Sequence, residues 1–126
     1  MKMSPNPKLL DPLQYSLPVN LDGFREAADG DESERIDLLK MYAAQLKQKL
    51  PQAQAAFEKN EFPQVARILH PLTGATFTCG LEEFGLALRS LEESAKVNDA
   101  PATLAKFPHV IDYARRIDAA IARELV

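Results

Sequence analysis

From residue 31 onward the apolar residues recur at alternating spacings of three and four, the period that lays one face of an α-helix against a core. Ile36, Leu39, Ala43, Leu46, Leu50, Ala53 and Phe57 form a first seam. Phe62, Val65, Leu69, Leu72, Thr76 and Cys79 form a second, and Leu81, Phe84, Leu88, Leu91 and Ala95 a third. Leu104, Phe107, Ile111, Ala114, Ile121 and Leu125 make the fourth, with Ile117 beside the expected slot at Asp118. Sustained period-2 alternation is missing, and no hairpin dipeptide joins β-branched runs. The spacing predicts four long helices, each with one face on a common core.

The breaks between seams carry helix-end chemistry. Asp29-Gly30-Asp31 opens the first long helix, and Asn60-Glu61 before Phe62-Pro63 opens the second. Gly80 closes the second where a left-handed C-cap is favoured, and Asn98-Asp99-Ala100-Pro101 opens the last. Asp29, Asp31, Glu32 and Glu34 complement the positive end of the helix dipole. Connections of two to five residues oblige neighbouring helices to run antiparallel. The expected fold is therefore all-α: an antiparallel up-down-up-down four-helix bundle, with a short N-terminal capping helix near Leu21 to Ala28. Residues 20–126 would form the bundle and residues 1–19 an N-terminal extension, ordered only in part. Pro51, Pro71 and Pro108 fall inside the expected helices, where each removes a backbone hydrogen bond and introduces a kink. Pro108 is the strongest candidate for splitting its helix.

Composition narrows the function classes. At 126 residues, with 46% hydrophobic and 26% charged, the chain matches one globular domain. Lys plus Arg total 15 against 18 Asp plus Glu, a net charge of -3 that argues against nucleic acid as a partner. One cysteine forbids an intramolecular disulfide, and with two histidines there are too few soft ligands for a structural zinc site, so no metal is expected. Pro5, Pro7, Pro12 and Pro18 interrupt any signal-peptide run, and no apolar stretch approaches the roughly 20 residues that span a bilayer. A soluble, cytoplasmic protein without a membrane partner is expected.

The second seam places one residue where chemistry is accessible. In helical projection His70 lies about 150° from the mean direction of Val65, Leu69, Leu72, Thr76 and Cys79, so its imidazole faces water. Gly74, one turn later on the same face, leaves the ring uncovered and lets another backbone come close. A mid-helix glycine is destabilising by about 0.5–1 kcal/mol relative to alanine, which favours a reason of access. Phe77, two turns along, also points off the seam; it either meets a partner or folds back on the leading helix or the N-terminal tail. His109 follows Pro108 without an accompanying glycine and reads as solvated; with Asp112 it falls short of a metal site. Cys79 reads as a small buried hydrophobe.

The run His70-Pro71-Leu72-Thr73-Gly74, with Gly80 six residues after Gly74 and Leu91-Glu92 on the next helix, resembles the signature of histidine-containing phosphotransfer (Hpt) domains: H-x-L-K-G, a second glycine, then L-E. The resemblance extends over about Leu21 to Leu125. It implies a phosphorelay intermediate, a phosphoryl carrier with no kinase activity of its own. His70 would accept a phosphoryl group from the aspartyl-phosphate of one response-regulator receiver domain and pass it to another. Imidazole suits this task because an ordinary pKa near 6.5 leaves much of it neutral and nucleophilic at pH 7. Receiver domains, and a hybrid sensor histidine kinase, are the implied partners. No cofactor is implied beyond Mg²⁺ carried by the receiver, and a monomer is expected.

Position suggests further roles under that resemblance. Glu92 would hold Nδ1–H and present Nε2 as the nucleophile. The family usually has lysine three residues after the histidine, where this chain has Thr73; Arg67, one turn before His70, is placed to neutralise the phosphoryl group instead. Gly74 and Phe77 would meet the docking partner. Thr73 also keeps open a second reading, a degenerate Hpt-like bundle acting as a non-catalytic adaptor or inhibitor of receiver or kinase domains. A histidine-kinase dimerisation helix pair, suggested by His70-Pro71-Leu72, is disfavoured because no ATP-binding domain follows.

Overall fold

The structure, a computed structural model, describes residues 19–126; the expected extension lies, apart from Val19, outside the described residues. Among the described residues there are five helices and no strand: α1 (Asp22–Ala27), α2 (Glu32–Glu58), α3 (Phe62–Thr78), α4 (Glu82–Lys96) and α5 (Ala100–Glu124). Asp31 caps α2 by accepting from the Glu34 amide at 3.0 Å, and Asp99 caps α5 by accepting from the Ala102 amide at 3.2 Å. The turns into α3, α4 and α5 pass through a left-handed residue each, Asn60, Gly80 and Asn98.

Side-chain contacts tie α2 to α5 and to α3. Arg35 at the start of α2 pairs with Glu124 at the end of α5, Lys47 pairs with Asp118, and the Phe57 ring stacks on Phe107 with centroids 4.0 Å apart. Tyr42, fully buried, donates its phenol proton to Thr76 Oγ1 at 2.6 Å, since Thr76 donates its own to the Leu72 carbonyl. Burial also pushes that phenol well above its ordinary pKa. The second and third expected seams are buried along their whole length, with Cys79 among them. Leu104 departs from the fourth seam: it is half exposed, and Thr103 takes the buried position beside it.

All three internal prolines lie within unbroken helices, Pro108 included. Each is exposed, so the carbonyl four residues earlier that loses its donor lies toward water, which removes the reason to break the helix. The leading helix α1 seats Phe24 in the core edge-on to Tyr42. It comes to rest on the α3–α4 turn through two glycines: a Cβ on Gly23 would stand 2.4 Å from the Gly80 carbonyl oxygen.

Candidate functional site

Burial of Val65, Ala66, Leu69, Leu72 and Thr73 fixes the rotation of α3 and turns His70 outward. Its side chain is 78% exposed. On α4, Leu88, Leu91 and Ala95 are buried, which leaves Glu92 at the edge of the α3–α4 seam, with only 16% of its side chain exposed. From there Glu92 Oε2 lies 2.5 Å from His70 Nδ1. A carboxylate only accepts, so the proton of this bond belongs to Nδ1. Nε2 has no protein partner among the described residues.

Thr73 joins the same cluster. Its Oγ1 stands 3.0 Å from the other Glu92 oxygen, Oε1, and 3.1 Å from the Leu69 carbonyl oxygen, so the hydroxyl proton is shared between two acceptors. Both carboxylate oxygens are thereby engaged, one by the imidazole and one by a buried hydroxyl. Nothing in the residue spacing points to this support, since Thr73 and Glu92 lie 19 residues apart on different helices.

The remaining candidates are arranged around this triad. Gly74 is open: an added Cβ would meet nothing within 4 Å. Phe77 is half-buried against α4, where a Cβ on Gly85 would stand 2.7 Å from its ring; the N-terminal tail, one alternative for this ring, lies outside the described residues. The guanidinium of Arg89 covers it, 4.5 Å from the ring centroid. Arg67 is exposed, and its Nε and Nη2 both donate to Gln64 Oε1, at 3.0 and 2.6 Å. His109 is exposed on α5. No group of three or more His, Cys, Asp or Glu side chains among the described residues is arranged to hold a metal ion.

An outward histidine with one nitrogen braced and the other open leaves Nε2 accessible to a group carried by another molecule. The family model for the Hpt domain matches residues 37–123, which take in most of α2, all of α3 and α4 and nearly all of α5, with His70 and Glu92. The chain belongs to the Hpt domain family. Hpt domains are histidine phosphocarriers rather than kinases, and they work with receiver domains in phosphorelays. No curated protein and no solved structure gives a significant match. No helix among the described residues of this Hpt protein is long and apolar enough to cross a membrane.

Proposed function

We propose that this Hpt protein is a phosphorelay intermediate in which Nε2 of His70 carries the phosphoryl group between receiver-domain aspartates. The observation that supports this reading best is the exposed imidazole with Nδ1 on Glu92 and Nε2 open. In the accepting step the Nε2 lone pair forms the N–P bond while the acyl P–O bond breaks, its electron pair leaving with the donor's aspartate. The ring keeps its Nδ1 proton and becomes cationic, which is the state that a carboxylate at Nδ1 stabilises. Transfer to a second aspartate runs the same step backwards. Mg²⁺ comes with the receiver, and the protein has no kinase activity of its own.

Each neighbouring residue has a part in this scheme. Glu92 selects the tautomer, and Thr73 holds Glu92 rather than the phosphoryl group. Arg67 offers a cation on the N-terminal side of His70. Gly74 and the outer edge of Phe77 form the ground on which a receiver docks. The pairings of Arg35 with Glu124, Lys47 with Asp118 and Phe57 with Phe107 favour an antiparallel up-down-up-down bundle over residues 20–126. We take its working form to be a monomer. One buried free thiol, Cys79, suits a reducing cytoplasm.

The test is to mix the purified protein with phosphorylated receivers and follow acid-labile, base-stable phosphate. Phosphate on His70, abolished in His70→Gln, is the expected result. Binding without transfer would instead favour the adaptor reading that Thr73, standing at the usual lysine position, brings with it.

A further inference from the structure

The phosphoryl group adds two negative charges next to Glu92, and the position from which the family's lysine would meet them holds Thr73. Arg67 already has Nε and Nη2 on Gln64. A second guanidinium lies on the opposite side of His70. Arg89 stands on α4 one turn before Glu92, about 4.5 Å of helix rise. Its Cζ is 4.5 Å from the centre of Phe77, which follows His70 on α3 by two turns, about 10.5 Å of rise. The two helices thus meet at Glu92 with His70 and again at Arg89 with Phe77, so the Arg89 backbone lies beside the stretch of α3 between ring and histidine.

That stretch is bare. Gly74 is the outward residue between Phe77 and His70, and nothing lies within 4 Å of where its Cβ would be. Arg89 is itself exposed and engages Phe77 by its π-face. An exposed guanidinium resting on the face of a half-buried phenyl ring is held weakly; a phosphoryl dianion, which can take two parallel N–H···O bonds from the same fork, is a much stronger partner.

We propose that Arg89 is the phosphoryl-binding cation of this domain: it rests on Phe77 while His70 is unmodified and crosses Gly74 to hold two phosphoryl oxygens once Nε2 is phosphorylated. Phe77 is then a resting place for the guanidinium as well as a docking edge. The glycine serves the arginine's movement as much as the approach of the receiver. This rests on His70 being the phosphoryl acceptor.

The full-length protein is treated with potassium phosphoramidate, a small P–N donor that needs no receiver, and phosphate on His70 is followed by intact mass and ³¹P NMR. Arg89→Ala is expected to slow acceptance about tenfold and Arg89→Lys about threefold, because one ammonium replaces a two-pronged fork. Arg115→Ala, an exposed arginine on α5, is expected to leave the rate unchanged. In the wild-type protein the Arg89 Nε–Hε resonance is expected to move as His70 becomes phosphorylated. Acceptance by Arg89→Ala at the wild-type rate overturns the proposal. So does slowing with an unmoved Arg89 resonance, since the residue would then act only by supporting Phe77. A wild-type protein that takes no phosphate on His70 refutes the acceptor reading itself.

Discussion

Replacing Glu92 by alanine removes the 2.5 Å contact to His70 Nδ1 and leaves the ring free to turn. A hydrogen bond to a charged group contributes roughly 1.5–3 kcal/mol when shielded from water. Here the carboxylate is largely covered but the imidazole is 78% exposed, so solvent screening brings the figure down to about 1–2 kcal/mol. That energy acts on the reaction twice, in keeping the proton on Nδ1 and in stabilising the cationic ring that forms as the N–P bond closes. Glu92→Ala is therefore expected to slow phosphoryl acceptance by roughly 5- to 30-fold. Glu92→Gln, which keeps an acceptor and loses the charge, is expected to slow it by roughly 2- to 5-fold. Folding is expected to suffer little. Thr73 loses one acceptor and keeps the Leu69 carbonyl at 3.1 Å, so the loss of stability stays below about 1 kcal/mol. The assay is the initial rate of acid-labile phosphate on His70 with phosphoramidate, alongside urea denaturation. NMR of the product adds a second readout: wild type is expected to give Nε2-phosphohistidine, and Glu92→Ala a mixture with the Nδ1 isomer. A Glu92→Ala rate within twofold of wild type, with the Nε2 isomer alone, would refute the reasoning.

Thr73→Val keeps the shape and deletes the hydroxyl that holds Glu92 Oε1 at 3.0 Å; acceptance is expected to fall roughly two- to fivefold and to return in Thr73→Ser, and equal rates in all three proteins would show that the contact is idle. Gly23→Ala would drive a methyl group to 2.4 Å from the Gly80 carbonyl oxygen, backbone against backbone, so α1 must shift and lift Phe24 from the core; a loss of roughly 1–3 kcal/mol in urea denaturation is expected, and an unchanged midpoint would count against this seat for α1. The Cys79 thiol is fully buried, and burial pushes its pKa from 9.0 up to about 11, making the thiolate about 100-fold rarer at pH 8; iodoacetamide is expected to label the unfolded protein and spare the native one, and equal labelling of both would be the contrary result.

The apolar spacing carried the fold a long way, because helices on one core must repeat their buried positions at three and four. It was weakest where a second buried column exists. Tyr42 lies beside the first seam rather than on it, yet it is fully buried, and its phenol is accommodated by Thr76, a partner 34 residues away. Leu104 failed for the opposite reason. It sits in the first turns of α5, where the neighbouring Thr103 fills the core and the leucine is left at 51% exposure. The prolines were readable as helix-internal, but whether they break a helix depends on which side they face, and that follows from packing.

At the site, His70 was legible because it departs from its seam by a definite angle, and Glu92 because it follows Leu91 where the family resemblance places an L-E pair. That Glu92 would meet His70 Nδ1 came from the family resemblance and not from spacing, since a hydrogen bond between two helices depends on their relative height, and spacing along one helix says nothing of that. Thr73 shows the consequence. By itself it reads as a missing lysine and hence as weakened function. Set beside Glu92 it is a buried hydroxyl on a carboxylate that would otherwise have one oxygen unsupported at the edge of the core. Under the proposed function, threonine there leaves bracing of the histidine and neutralisation of the phosphate to different residues, and the cation has to come from elsewhere. Arg89 then becomes the decisive position: if the domain transfers phosphate with both Arg67 and Arg89 removed, at a rate near wild type, the idea that a dianion on Nε2 needs a dedicated cation in this fold is wrong.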